Sequence, residues 1–214
     1  MTTLSPCARC HEACCRDYLV TVSGLDVHRI STGLGLAPRQ FVVPTSFGDP
    51  PDGFRVDDSA QTYRLALDKR RTGEAVGWCT FWLPFAGGLG RCGIYALRPG
   101  VCRTYPATLR DGEVGLRDNI MCPDDAWTAT SELFTASWRR RAEQQYAELE
   151  VDAYVNRRWN RTAQLNSDPQ DGFGRYLDWM LKIYDRTGPV VEGNRPSREL
   201  LSQVLKQIEL VTPL

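Results

Sequence analysis

The chain has 214 residues, 42% of them hydrophobic, with 26 basic side chains balanced by 26 acidic ones. That balance excludes a global field that would gather nucleic acid or an anionic membrane, and no apolar run approaches the roughly 18 residues that suggest a membrane span. A chain this long can bury an ordinary core without a metal as a prop, so the eight cysteines need another explanation.

Four of them open the chain, in Cys7-Ala8-Arg9-Cys10-His11-Glu12-Ala13-Cys14-Cys15. Thiolate is a soft ligand for zinc, copper(I) and iron–sulfur clusters, and two cysteines with two residues between them can turn both sulfurs toward one ion. An even number of cysteines also permits disulfides. Stapled secreted domains are usually much shorter, however, and Met1-Thr2-Thr3-Leu4-Ser5-Pro6 has neither a basic leader nor an apolar core. The expectation is therefore metal ligation in a cytoplasmic protein. Adjacent cysteines diverge in extended chain, so Cys14 and Cys15 need a tight turn to share an ion. His11 is a weaker candidate beside so many thiols, and His28 reads as an ordinary helix residue.

Taken in order, Tyr18–Val22 suggests a short strand or an extended arm, and Ser23 a cap for a helix over Leu25, Val27, His28 and Ile30 that ends near Gly33 or Gly35. Pro38 suits the first turn of a second short helix carrying Phe41 and Val42. Pro44 to Asp58 has loop composition, and Tyr63, Leu65 and Leu67 alternate like a strand. Trp78–Leu83 reads as a further strand with Arg91–Tyr95 as hairpin partner across Gly87-Gly88-Leu89-Gly90, placing Cys79 and Cys92 on neighbouring strands. That glycine stretch lacks the Lys-Ser/Thr of a phosphate loop and is taken as a turn. Pro99 and Pro106 restrict the backbone on both sides of Cys102. Asp111-Gly112 predicts a hairpin pairing 107–109 with 114–116, and Cys122 precedes a helix start at Pro123-Asp124.

From about Thr130 to Gln164 the apolar positions Phe134, Trp138, Ala142, Tyr146, Leu149 and Ala153 predict a long amphipathic helix. Shorter helices are expected around Tyr176–Tyr184 and Ser197–Ile208. The fold class expected is α+β, with a cysteine-rich metal-binding lobe of short antiparallel strands over 1–125 and a helical C-terminal portion over 126–214 packed on it.

The candidate metal ligands are Cys7, Cys10, Cys14, Cys15, Cys79, Cys92, Cys102 and Cys122. Arg98 and Arg103 are candidate cofactor-binding residues, because guanidinium groups offset the negative charge of a thiolate-bound metal; Arg91 fits a solvated surface equally well. Tyr95 and Tyr105 are expected to be core aromatics. A zinc ribbon shows two C-x2-C knuckles and this chain has one, whereas clustered thiolates plus remote cysteines suit an iron–sulfur cluster, so [4Fe–4S] is placed ahead of zinc. Cys7, Cys10 and Cys14 form the radical-SAM triplet in reverse, and the strand–helix repeats of that barrel are missing.

The ordered series Cys7, Cys10, Cys14-Cys15, Cys79, Cys92-Gly93-Ile94-Tyr95, Arg98-Pro99, Cys102-Arg103-Thr104-Tyr105-Pro106 and Cys122 resembles the CxxCxxCC, or YkgJ-like, family of zinc- or iron-chelating proteins, related to the cysteine-rich region of flagellin lysine N-methylases. The resemblance spans roughly the first 125 residues and departs from the pattern in the three residues, not two, before the cysteine pair. It implies a metal centre acting in electron transfer, metal handling or a structural role. The methylase relation implies the alternative of an S-adenosylmethionine-dependent protein lysine N-methyltransferase, though no glycine-rich strand-to-helix turn marks a Rossmann-type cofactor site. A third reading makes the C-terminal helices a docking element for a protein partner. No nucleic-acid or membrane partner is expected.

Overall fold

Cys14 and Cys15 lie on a five-residue helix, α1 (Ala13–Asp17), so the turn that the adjacent pair requires is helical, and the strand expected from Tyr18 shrinks to β1 (Thr21–Val22). The computed structural model describes residues 13–46, 51–72, 75–85, 90–110, 113–118, 120–122, 132–191 and 198–209. Cys7, Cys10 and His11 are outside the described residues, as is the helix start expected at Pro123-Asp124.

Ser23 caps α2 (Gly24–Leu34) as expected. Its Oγ accepts the Asp26 amide at 3.1 Å, and Asp26 Oδ2 accepts the Ser23 amide at 3.2 Å, which satisfies two donors that a helix start leaves open. The helix stops at Gly35, whose φ of 65° is the left-handed conformation that a residue without Cβ adopts at least cost.

Pro38 opens only a three-residue 3-10 turn, Pro38–Gln40, and Val42, expected on a helix, begins β2 (Val42–Thr45). The β-branched pair Val42-Val43 favours the extended chain. Pro44 is tolerated in that strand because β2 is an edge of the antiparallel sheet β1–β3–β2, with β3 (Arg64–Leu67) in the centre. Leu65, Ala66 and Leu67 are all buried, so both faces of the central strand are covered.

Three two-stranded ribbons follow. β4 (Lys69–Thr72) pairs with β5 (Ala75–Cys79), β6 (Trp82–Pro84) with β7 (Gly90–Cys92), and β8 (Ala107–Arg110) with β9 (Glu113–Leu116). The strand expected over Trp78–Leu83 breaks at Thr80-Phe81. Cys79 therefore faces Lys69 in one ribbon and Cys92 faces Trp82 in another, rather than the two lying on neighbouring strands. The break itself joins the ribbons, since the Thr80 amide donates to Asp68 O at 2.9 Å and the Gly93 amide to Phe81 O at 2.8 Å. The β8–β9 register, with Thr108 opposite Gly115 and Leu109 opposite Val114, is the one that Asp111-Gly112 predicts. Between these ribbons lies α3 (Gly100–Thr104), which carries Cys102.

The helical portion comprises α4 (Glu132–Thr162), α5 (Pro169–Val191) and α6 (Arg198–Glu209). On α4 the buried stripe is Trp138 and Ala142, then Ala147, Val151, Val155 and Trp159, while Tyr146 and Leu149, expected inside, are 52% and 44% exposed. The stripe shifts where the helix changes partners. Gln145 bonds Thr104 of α3, whereas Asp152 bonds Gly24 of α2 and Asn156 bonds Tyr176 of α5.

α5 begins well before Tyr176, because Asp168 Oδ1 accepts the amides of Gln170 and Asp171 and Pro169 fits the first helical position. Phe54 stacks on Tyr176 with centroids 3.8 Å apart, beside Trp159 and Trp179. Burying each such aromatic contributes about 1.5–3 kcal/mol. Buried residues from both sides of residue 125 form one continuous core. Among the described residues, no helix is long and apolar enough to cross a membrane.

Candidate metal centre

Four elements deliver five thiols to one region: Cys14 and Cys15 from α1, Cys79 from the end of β5, Cys92 from the end of β7 and Cys102 from α3. Their mutual influence on ionisation shows the proximity. Cys15 donates its S–H to Cys14, which holds the Cys14 thiol down to about 7 despite burial, with Arg98 adding a smaller pull in the same direction. The same bond pushes Cys15 up, burial adds to it, and repulsion from Cys14, Cys79 and Cys102 adds further. Burial raises the Cys102 thiol well above its ordinary value, followed by Cys14, Cys79 and Cys92; burial likewise raises Cys79, with smaller contributions from Cys92 and Cys14. Buried thiols crowded in this way resist ionising together unless a cation stands among them, and a bound metal reverses that logic.

Among the described residues, no three His, Cys, Asp or Glu side chains already stand in an arrangement that could hold a metal ion, and no disulfide joins the described cysteines to one another. The described chain thus supplies neighbouring soft donors rather than a closed cage, and the sequence adds Cys7 and Cys10 just ahead of α1. The chemistry of this donor set suits zinc or an iron–sulfur cluster.

Cys122 lies by Tyr105, whose hydroxyl accepts the Met121 amide at 2.8 Å and whose ring meets Tyr18 edge-on at 5.6 Å. Tyr18 and Tyr105 directly follow α1 and α3, so the Cys122 segment is tied to the exits of both cysteine-bearing helices. Tyr105 is half-buried. Tyr95, expected in the core, is 47% exposed and instead supports Arg98, whose guanidinium stands 3.6 Å from the ring centre while Nε donates to Tyr95 O at 3.1 Å. Arg98 is thereby held near Cys14. Arg91 stacks at 5.2 Å on Phe85. Arg103 points Nη2 to within 4.0 Å of both Asp26 Oδ1 and Glu148 Oε2.

That carboxylate pair was not singled out by residue type. Asp26 and Glu148 are 4% and 2% exposed and share Arg29, which donates to Asp26 Oδ1 at 3.2 Å and to Glu148 Oε1 at 2.6 Å. A usable signal lay in α4, where every fourth residue is polar. Gln144 donates to Glu148, Glu148 binds Arg29, Asp152 accepts the Gly24 amide, Asn156 bonds Asp52 O and Tyr176, and Asn160 bonds Gly53 O and the Arg55 amide. Such a ladder ties the helix to α2 and to backbone groups of the 52–55 segment.

Comparison with known proteins gives one result for the family. The family model CxxCxxCC, described as "Putative zinc- or iron-chelating domain", matches residues 6–123. No curated protein and no solved structure matches the chain.

Proposed function

The chain belongs to the CxxCxxCC family of zinc- or iron-chelating domains, and from that premise we propose that its thiols hold a [4Fe–4S] cluster that serves electron transfer. The observation that supports this reading is the gathering of five thiols from four separate elements around α3. A tetrahedral zinc site is complete with four ligands, and this region offers more than that with a single C-x2-C knuckle. Clusters accept thiolates scattered in this manner. Cys14, Cys15 and Cys92 are only half-buried, which keeps a cluster near enough to the surface to exchange electrons with a docked protein. Arg98, braced on Tyr95 beside Cys14, would offset the cluster's negative charge.

The test is purification without oxygen, followed by elemental and sulfide analysis and a visible spectrum. About four iron and four sulfide per chain are expected, with a brown colour that bleaches on reduction. One or two zinc ions in a colourless protein would replace the cluster with a zinc centre. A protein with neither metal would remove both.

A further inference from the structure

A five-residue helix cannot satisfy its own terminal groups, and both ends of α3 are held by other helices. The Gly100 amide donates to Asp26 Oδ1 of α2 at 3.0 Å, and Thr104 Oγ1 donates to Gln145 Oε1 of α4 at 2.7 Å. Asp26 is fully engaged. Oδ2 accepts the Ser23 amide, Oδ1 also accepts Arg29, and Arg29 is anchored in turn on Glu148. A buried charge costs folding free energy unless it is paired and hydrogen-bonded, so an apolar residue would have packed here more cheaply. What the carboxylate adds is a fixed acceptor two residues before Cys102.

We propose that Asp26 is a positioning residue for the metal centre: with Arg29 and Glu148 behind it, its carboxylate fixes the Gly100 amide and so the orientation of the short helix that presents Cys102 to Cys14, Cys79 and Cys92. The part of this that concerns metal rests on the metal-centre reading above; the part that concerns Cys102 does not. Metal affinity in the lobe is then set partly by helices that contribute no ligand, as outer-shell partners do at other metal sites.

The experiment uses full-length wild type, Asp26→Ala, Asp26→Asn and Ser23→Ala. Ser23→Ala removes the helix cap but leaves the Gly100 acceptor, and so controls for lost stability. In reduced, metal-free protein, alkylation of Cys102 by iodoacetamide, followed by peptide mass spectrometry, is expected to run several-fold faster in Asp26→Ala, because a loosened α3 opens locally more often. Asp26→Asn, which keeps an oxygen for Gly100, should fall between, and Ser23→Ala should match wild type. Zinc affinity, measured by competition with a chelator, should drop about 10- to 100-fold in Asp26→Ala and recover in Asp26→Asn.

Equal Cys102 labelling in wild type and Asp26→Ala overturns the positioning role whatever metal the chain binds. So does acceleration by Ser23→Ala as large as that by Asp26→Ala, because both would then report stability alone. Should Asp26→Ala not fold, Asp26→Asn decides: labelling faster than wild type supports the clamp on α3, and labelling equal to wild type overturns it. Unchanged zinc affinity in Asp26→Ala overturns the metal part. A wild type that takes up neither zinc nor iron sinks the metal-centre reading, while the labelling still decides the clamp.

Discussion

Arg29 Nη2 donates to Glu148 Oε1 at 2.6 Å, joining α2 to α4 across 119 residues of sequence, with the two side chains 15% and 1% exposed. Removing the arginine strands two buried carboxylates, and Arg103 at 4.0 Å is too distant to replace it fully. Arg29→Met is therefore expected to cost about 3–5 kcal/mol in urea unfolding at neutral pH. Replacing Glu148 with Gln in the same variant should recover part of the loss, because one of the two stranded charges is then removed while Asp26 still accepts the Ser23 and Gly100 amides. A loss below about 1 kcal/mol for the single change would mean that water reaches the pair.

Stability should also depend on pH through Asp152. Burial pushes its carboxyl from 3.8 up to about 6, partly offset by the Gly24 amide and the Tyr184 hydroxyl. Burial, and then Glu148, raises Asp26 as well. A carboxyl whose folded pKa lies above its unfolded value binds its proton more tightly when folded, so its stabilisation is complete below about pH 4 and is lost as pH rises through about 6. Wild type is expected to lose on the order of 3 kcal/mol more than Asp152→Asn across that window, read from urea midpoints. Parallel curves for the two proteins would remove Asp152 as the titrating group.

Local chemistry was legible in this sequence where one residue type had one task. Ser23, Gly35 and Asp111-Gly112 each specify a cap or a turn without help from distant chain, and the structure places the described elements around them as expected. Legibility failed where partners decide. Nothing local distinguishes Val42 in a helix from Val42 in an edge strand until β3 is beside it. The apolar face of α4 turns between Ala142 and Ala147 because α3 gives way to α2 and α5 along its length, a change that a single helical period does not encode. At the site, the cysteines announced soft-ligand chemistry by spacing alone. The support from Asp26, Arg29 and Glu148 did not, since buried ion pairs use the same residue types as solvated surfaces.

Gly172 offers a sharp contrast with helix propensity. It lies in α5, where Gly→Ala alone should stabilise by about 1 kcal/mol, yet a Cβ there would run into the carbonyl of Val56. Backbone cannot swing aside as a side-chain tip can. Gly172→Ala is expected to cost about 1–3 kcal/mol by forcing the Phe54 segment off the helix, with a matching change in tryptophan fluorescence near Trp159. Gly115→Ala is the control: a Cβ there meets nothing within 4 Å, and the change should stay within about 0.5 kcal/mol. Equal effects at the two positions would show that the close approach of Val56 is not maintained in solution.

Metal removal should separate the lobe from the core. Trp159, Tyr176, Trp179, Met180 and Ile183 are fully buried in a core that Cys79 joins and that Cys15 and Cys92 only border, so chelation is expected to leave the helical circular dichroism nearly intact. The loss should fall on the ribbons that carry Cys79 and Cys92 and on α3, seen as faster amide exchange across residues 76–104. Cys79→Ser tests the same division by another route. The residue is 7% exposed, and a hydroxyl there is a poor ligand for a soft metal, so bound metal should fall by more than half while the helices persist. Collapse of the helical signal on chelation would instead make the metal a requirement of the whole fold, as in small domains that are unfolded without their ion.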